Sequence, residues 1–172
     1  ANQVINQVLE LDPATNQWSQ KAPMPTSRDG VKLVQLEDKV WAIGGSDGSS
    51  NLNKVEIYDP ATDTWTSGPS LTINRGWPSA WVAFGNIYVA CGVSGGVTVN
   101  TIEAYDPATN QWETLNPMSV ARRGVAAAAL DGKLYAIGGQ DLSSVEIFDP
   151  QTDQWSAGPA LPSEVHRATA IT

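Results

Sequence analysis

The sequence is poor in the residues on which most catalytic and metal centres depend. Its 172 residues include one cysteine and one histidine. A lone cysteine, Cys91, excludes an internal disulfide and a cysteine-based zinc site, and a lone histidine, His166, excludes a centre with several histidine ligands. A carboxylate-based chemistry is not excluded. We expect no cofactor and no metal.

Positive charge and long apolar runs are also scarce. Ten Lys and Arg residues oppose eighteen Asp and Glu residues, which leaves a net charge of −8. Nucleic acids and anionic membranes both select clustered positive charge, so neither is expected as a partner. No apolar run approaches the ~20 residues of a membrane-spanning helix. The first ten residues also lack the basic start and apolar stretch of a signal peptide.

Tryptophan, in contrast, is abundant, and four of the seven copies are periodic. The string Asp-Pro-x-Thr-x-x-Trp occurs four times with spacings of 47, 47 and 43 residues, ending at Trp18, Trp65, Trp112 and Trp155. A Gly-Gly pair at 44–45 and 138–139 keeps the same phase, with Cys91-Gly92 at the midpoint. An arginine follows ten residues after the tryptophan at Arg28, Arg75 and Arg122. Self-similarity at this period predicts a propeller or a solenoid.

One period contains the pattern of four short strands. Between residues 123 and 157 the predicted strands are Val125–Leu130, Leu134–Ile137, Val145–Phe148 and Gln154–Ala157. An Asp-Gly turn, a short polar loop and an Asp-Pro turn separate them. Such tight connections join antiparallel strands. Four strands in about 45 residues are typical of one propeller blade.

These motifs resemble the kelch repeat, in which an arginine and a strand precede (Leu/Ile)-Tyr-x-x-Gly-Gly and Val-Glu-x-Tyr-Asp-Pro-x-Thr-x-x-Trp. Three full copies run from about Arg28 to Leu71, Arg75 to Met118 and Arg122 to Leu161. Cys91 replaces the first glycine, Leu11 replaces the tyrosine of the first partial copy, and the third copy is four residues shorter. The resemblance implies an all-β, kelch-type β-propeller made of four-stranded antiparallel blades.

The strand count leaves the closure of the ring open. We predict one domain over 1–172, with a partial blade over 1–27, blades over about 28–74, 75–121 and 122–162, and a closing strand over 166–172. These elements supply fifteen strands, one short of four blades. The chain is therefore a fragment of a longer propeller, half of a ring completed by a homodimer, or a four-blade ring with one defective blade. Open sheet edges favour self-association.

Topology separates two faces of such a blade, whose strands we name a to d. The a–b and c–d turns lie on one face (the turn face), and the b–c and d–a loops lie on the other (the loop face). The longer b–c loops over 46–53, 93–100 and 140–144 belong to the loop face. Variable loops on a rigid scaffold are where binding usually occurs.

The kelch resemblance places strand a innermost, so the arginines that precede it are expected near the mouth of a central channel. Such a ring would bind a carboxylate or an acidic peptide. Alternatively, each arginine pairs with a nearby carboxylate of Asp29, Glu56, Glu103 or Glu146 and orders the loop. Trp77, an aromatic absent from the other copies, would stack on a ligand, or fill the channel or a gap between blades. The predicted partner-binding residues are Arg28, Arg75, Trp77, Arg122, Arg123, His166 and Arg167, and no catalytic residue is predicted.

Most kelch proteins are protein-binding modules, so the resemblance implies a non-catalytic scaffold that binds a protein or an acidic peptide. One alternative is an enzyme or lectin acting on an anionic sugar, as in epimerase-like propellers. A copper-dependent oxidase of the kelch type lacks its ligands here. The near-identity of residues 12–18 and 106–112 also fits an engineered or amplified repeat scaffold without a ligand.

Overall fold

In the computed structural model, residues 4–165, 168 and 170 are described, and they form β-sheets joined by turns and loops. An N-terminal hairpin pairs β1 (Val8–Asp12) with β2 (Gln17–Lys21). The first four-stranded sheet contains β3 (Lys32–Leu36), β4 (Lys39–Ile43), β5 (Val55–Asp59) and β6 (Thr64–Ser67). The second contains β7 (Ser79–Ala83), β8 (Asn86–Ala90), β11 (Ile102–Asp106) and β12 (Gln111–Leu115). The third contains β13 (Ala126–Leu130), β14 (Lys133–Ile137), β15 (Val145–Asp149) and β16 (Gln154–Gly158).

Each four-stranded sheet is antiparallel and follows the order of the chain, which confirms the predicted four-stranded antiparallel blades. One small element was not predicted. In the b–c loop of the second sheet, β9 (Val93–Ser94) and β10 (Val97–Thr98) form a hairpin. Gly95 and Gly96 close it with φ angles of 57° and 81°, which residues other than glycine adopt only with strain.

The innermost strands of neighbouring sheets contact one another. β3 contacts β7, and β7 contacts β13. The first strand of each sheet therefore lines the inner side of the arc, and the last strand lies at its periphery. This arrangement brings the d–a and b–c loops of successive sheets to one face.

The core lies between the sheets, and the periodic aromatic residues build it. Trp41 of the first sheet packs against Tyr105 of the second with ring centroids 4.7 Å apart, and Tyr88 and Phe148 make the equivalent contact at 6.3 Å. The periodic tryptophans reach in the opposite direction. The indole Nε1 of Trp112 donates at 2.8 Å to the carbonyl oxygen of Pro69, in the loop that follows the last strand of the preceding sheet. Each tryptophan ring thus fills the space between two neighbouring sheets and joins them through one hydrogen bond.

The N-terminal hairpin is a half-blade, equivalent to strands c and d of a complete sheet. Trp18, its periodic tryptophan, is 66% exposed. A cavity of about 530 Å³ lies between this hairpin and the first sheet, lined mainly by apolar side chains that include Ile5, Leu9 and Leu33. The predicted closing strand over 166–172 falls almost entirely outside the described residues. Within the described ranges, no helix is long and apolar enough to cross a membrane.

Candidate binding face

Three of the predicted binding arginines form the same buried ion pair, one in each complete sheet. Arg75 lies in the d–a loop that leads into the second sheet, and its Nη2 donates to Oε1 of Glu103 on strand c at 2.7 Å. Its Nη1 donates to the carbonyl oxygens of Cys91 (2.8 Å) and Thr101 (3.1 Å), at the two ends of the b–c loop. Glu103 also accepts the backbone N–H of Thr72 at 2.6 Å. One guanidinium thus joins the d–a loop to the b–c loop.

The same arrangement recurs around Arg28 with Glu56 and around Arg122 with Glu146. All three arginine side chains have 0% exposed surface. Burial lowers the pKa of Arg28, and the adjacent Glu56 opposes that shift. The pairing alternative is therefore correct for Glu56, Glu103 and Glu146. The predicted ligand-binding ring is not exposed to a partner, because all three guanidinium groups are fully buried, although Nε of Arg75 and Nε of Arg122 have no hydrogen-bond partner.

Val165 occupies the fourth position of the series formed by Arg28, Arg75 and Arg122. The backbone N–H of Gly45 donates to the carbonyl of Arg75, and the N–H of Gly92 donates to that of Arg122. In the third sheet the equivalent N–H, of Gly139, donates to the carbonyl of Val165. A valine therefore stands where the other repeats have the buried arginine. His166 and Arg167, two predicted binding residues, lie outside the described residues.

Of the arginines that the structure describes, only Arg123 is exposed. Its Nε donates to Oε1 of Gln140, and Gln140 in turn donates to Asp141 at 3.1 Å. The guanidinium is therefore held on the rim of the loop face by the b–c loop of the third sheet. Its exposed donors can pair with a carboxylate.

Trp77 occupies a backbone position that the other repeats give to glycine. Its φ angle is 48°, and the residues one period away are Gly30 (58°) and Gly124 (64°). This left-handed conformation costs a bulky residue about 1–2 kcal/mol. The glycine of this dipeptide also moves one residue earlier in the second repeat: the three repeats read Asp29-Gly30, Gly76-Trp77 and Arg123-Gly124. Strain of this kind is concentrated at functional sites.

The indole ring of Trp77 lies against the neighbouring repeat and lines a cleft. A Cβ at Gly30 would come within 2.4 Å of Cδ1 and Nε1 of the ring, so only glycine leaves room for it there. The ring is still 45% exposed. It lines a cleft of about 450 Å³ between the b–c loops of the first and second sheets. We call this the Trp77 cleft, defined by Ser46, Ser49, Ser50, Asn51, Asn74, Trp77, Val93, Gly95 and Gly96, with Gly48 at its edge.

Sequence analysis missed the polar side chains of this cleft. Asn51 shapes it most directly, because its Nδ2 donates to the carbonyl of Val93 at 2.8 Å and so joins two b–c loops. Its Oδ1 lies where a Cβ at Gly76 would be 2.5 Å away, so a side chain at position 76 would displace the Asn51 carboxamide. The exchange of glycine and its neighbour at 76–77, compared with 29–30 and 123–124, was the available signal.

Cys91 is another departure from the repeat, and it is buried. Its φ angle of 65° matches those of Gly44 and Gly138 (both 63°). Cys91 therefore occupies the backbone position of the first glycine in the Gly-Gly pair, as the repeat spacing predicts. Burial raises the pKa of its thiol to about 12. A neutral buried thiol is a poor nucleophile. Among the described residues, no group of three or more His, Cys, Asp or Glu side chains could hold a metal ion.

Comparison with known proteins gives both sequence and structural matches. The family model "KLHDC2/KLHL20/DRC7 Kelch-repeats domain" matches residues 1–139, and the model "Kelch motif" matches residues 121–162. Kelch-like protein 7 of Homo sapiens is 38% identical over 56 residues, which cover 33% of this chain and 10% of that protein. Kelch-like protein 5 of Homo sapiens is 46% identical over 48 residues, covering 28% and 6%. The matched segments thus span a tenth or less of these curated relatives.

A solved structure, "Structure of YjhT", superposes with a TM-score of 0.80. The superposition covers 93% of this chain and 61% of that chain, at 18% sequence identity. At this identity the likeness concerns the fold alone.

Proposed function

Because the chain belongs to the kelch-repeat family, we propose that it is a non-catalytic module that binds a protein or peptide through its loop face. Kelch domains commonly bind proteins. The observation that carries the choice of face is Trp77, a half-exposed tryptophan in a left-handed backbone position where both other repeats have glycine. An unfavourable backbone conformation, kept at an exposed residue where equivalent repeats have glycine, is typical of a functional site.

The buried arginines support this function indirectly. Each ties a d–a loop to the b–c loop of its own sheet, as Arg75 does through the carbonyls of Cys91 and Thr101. Loops held in this way lose little entropy when a partner binds. Among the exposed groups of the face, Trp77 supplies apolar area and Arg123 supplies one cation for an acidic side chain.

Selection of displayed random peptides on the full chain tests the proposal. Peptides should be recovered whose affinity falls at least tenfold in Trp77→Gly and is reduced in Arg123→Ala. Phe84→Ala is the matched control, since Phe84 is 59% exposed but lies in an a–b turn on the opposite face. Peptides that lose binding only in Phe84→Ala would overturn the choice of face, and failure to select any peptide would overturn the function.

A further inference from the structure

The Trp77 cleft differs from the rest of this acidic molecule because no charged side chain lines it. Its lining consists of serine hydroxyls, two carboxamides, glycine backbone, one valine and the indole ring. Its volume of about 450 Å³ lies within the range of about 300–1,000 Å³ that is typical of small-molecule pockets. The cleft therefore has the composition of a site for an uncharged ligand with one apolar face.

The indole ring is a fixed platform in this cleft. Gly30 lies against part of the ring, and the backbone of Trp77 is held by its N–H, which donates to the carbonyl of Gly30 at 3.1 Å. A ring fixed in this way stacks on a flat apolar surface with little loss of side-chain entropy. The equivalent positions of the other two repeats, being glycine, offer no such platform.

The backbone around the cleft is already paired. Gly76 and Val93 exchange both of their N–H···O bonds, and Asp29 and Ser46 do the same. The carbonyl of Val93 also accepts from Asn51. An extended peptide that adds to a sheet edge needs unpaired backbone groups, which these residues do not supply.

The groups left for a ligand are two serine hydroxyls and one carboxamide, because the Ser46 hydroxyl already accepts the N–H of Gly48 and the Asn51 carboxamide already bonds to Val93. Within the described contacts, Ser49 and Ser50 use their backbone N–H groups, which donate to Oδ1 of Asp47 at 2.8 Å each. Their hydroxyls and the exposed carboxamide of Asn74 also line the cleft. These groups can donate and accept hydrogen bonds, which suits a ligand that carries closely spaced hydroxyl groups.

From these observations we infer that the Trp77 cleft binds an uncharged pyranose ring, whose apolar C–H face stacks on the indole while its hydroxyls bond to the serine and asparagine side chains. The sugar would belong either to a free oligosaccharide or to a glycan carried by a partner protein. This inference rests on the loop-face function proposed above and names a ligand class for it. It also replaces the anionic sugar considered from the sequence, because the arginines expected to bind that anion are buried with their own glutamates.

The test follows the seven indole N–H resonances of the uniformly ¹⁵N-labelled full chain during titration with uncharged trisaccharides of glucose, mannose, xylose and N-acetylglucosamine. The Trp77 resonance is the one missing in Trp77→Gly. At sugar concentrations up to about 10 mM, which covers weak millimolar affinities, at least one trisaccharide should shift it saturably. Trp18 is the internal control, because it is more exposed (66%) but lies outside the cleft. Asn74→Ala should weaken the affinity at least threefold and leave the other indole resonances in place.

Two further arms separate the sources of the sugar and the classes of ligand. A glycopeptide that carries the active sugar is compared with the free trisaccharide and with the bare peptide; tighter binding of the glycopeptide assigns the site to glycosylated partners. Equal shifts at Trp18 and Trp77, saturation only with a uronic acid trimer, or no saturable shift at all would each overturn the inference. If only peptides selected on the loop face shift Trp77, the sugar is wrong and the proposed protein-binding function stands.

Discussion

The N-terminal hairpin and the complete sheets contain the same motif in different surroundings. In the complete sheets the indole N–H of the periodic tryptophan donates to a carbonyl just after the last strand of the preceding sheet or hairpin, as Trp65 does to Ala22 at 2.9 Å. In the hairpin, Trp18 ends the same Asp-Pro-x-Thr-x-x-Trp string and forms the same turn, yet it is 66% exposed. The motif therefore fixes the turn locally, whereas the burial of its tryptophan depends on a neighbouring sheet.

The largest expected difference between the complete sheets and the hairpin is the loss of stability when an ion pair is broken. Arg75→Met leaves Glu103 buried without its cation and should lower the free energy of unfolding by about 3–5 kcal/mol. In the hairpin, the side chains of Lys21 and Glu10 are 27% and 54% exposed, so Lys21→Met should lower the free energy of unfolding far less than Arg75→Met does. Urea unfolding followed by tryptophan fluorescence measures both variants.

The double variant Arg75→Met/Glu103→Leu sharpens that result. It removes both charges and should recover much of the lost stability, because a buried pair is replaced by apolar side chains. A double variant no more stable than Arg75→Met would mean that the bonds of Arg75 to the loop carbonyls, rather than the orphaned carboxylate, dominate.

The second difference concerns the tryptophans themselves. Trp112→Ala removes a ring that packs against Tyr105 at 5.3 Å and bonds to Pro69, and it should cost about 3 kcal/mol. Trp18→Ala should change stability by less than about 0.5 kcal/mol, since an exposed side chain loses little on truncation. A comparable loss in the two variants would indicate that Trp18 is covered in solution. Light scattering over a range of concentrations would then test the self-association predicted from the open edges.

A third effect, smaller than the first two up to about pH 10, is the pH dependence contributed by Cys91. Burial raises the pKa of its thiol from 9.0 to about 12, so the folded chain keeps a proton that the unfolded chain releases between these values. Stability should be unaffected by this group below pH 9 and should then fall, by at most about 1.4 kcal/mol per pH unit. Cys91→Ala keeps a Cβ at the same backbone position and removes this dependence. Parallel curves of urea midpoint against pH for the two proteins would refute the assignment.

The smallest expected effect is at Trp77. Trp77→Gly restores the residue of the other two repeats, so the relief of backbone strain should offset the lost packing on Gly30 and keep stability within about 1 kcal/mol of the parent. Trp77→Ala loses the same ring and retains the strain, so it should be less stable than Trp77→Gly by about 1–2 kcal/mol. Thermal unfolding ranks the two. Equal stabilities would mean that this position tolerates a left-handed side chain without strain.

Much of the fold followed from the sequence because its signals are local. Asp-Gly and Asp-Pro turns, period-two alternation and paired glycines each act within a few residues, and their repetition predicted the three four-stranded sheets. The β9–β10 hairpin was missed, because Gly95-Gly96 has strands of only two residues on either side. The arginine spacing was predicted for three copies only; ten residues after Trp155 the sequence has Val165, and the backbone bond of Gly139 selects the same residue.

The candidate site followed from the sequence only in part. Trp77 was identified as a departure from the repeat and Arg123 as one of the predicted binding arginines, and both are exposed on the loop face. Ser50, Asn51 and Asn74 were not identified, because no sequence motif links residues of two b–c loops and one d–a loop. The roles of Arg28, Arg75 and Arg122 were left between ligand binding and pairing, since a periodic arginine is consistent with both.

By itself, the sequence determined the repeat, its strands and the positions that depart from the pattern, because these depend on backbone geometry within one period. The tertiary structure decided which of those positions a partner can reach. Burial depends on the neighbouring sheets. An exposed arginine can bind a ligand, whereas a buried arginine paired with a glutamate of its own sheet only holds the loops together. Likewise, Trp77 became a platform only because the preceding repeat supplies a glycine against which its ring can lie.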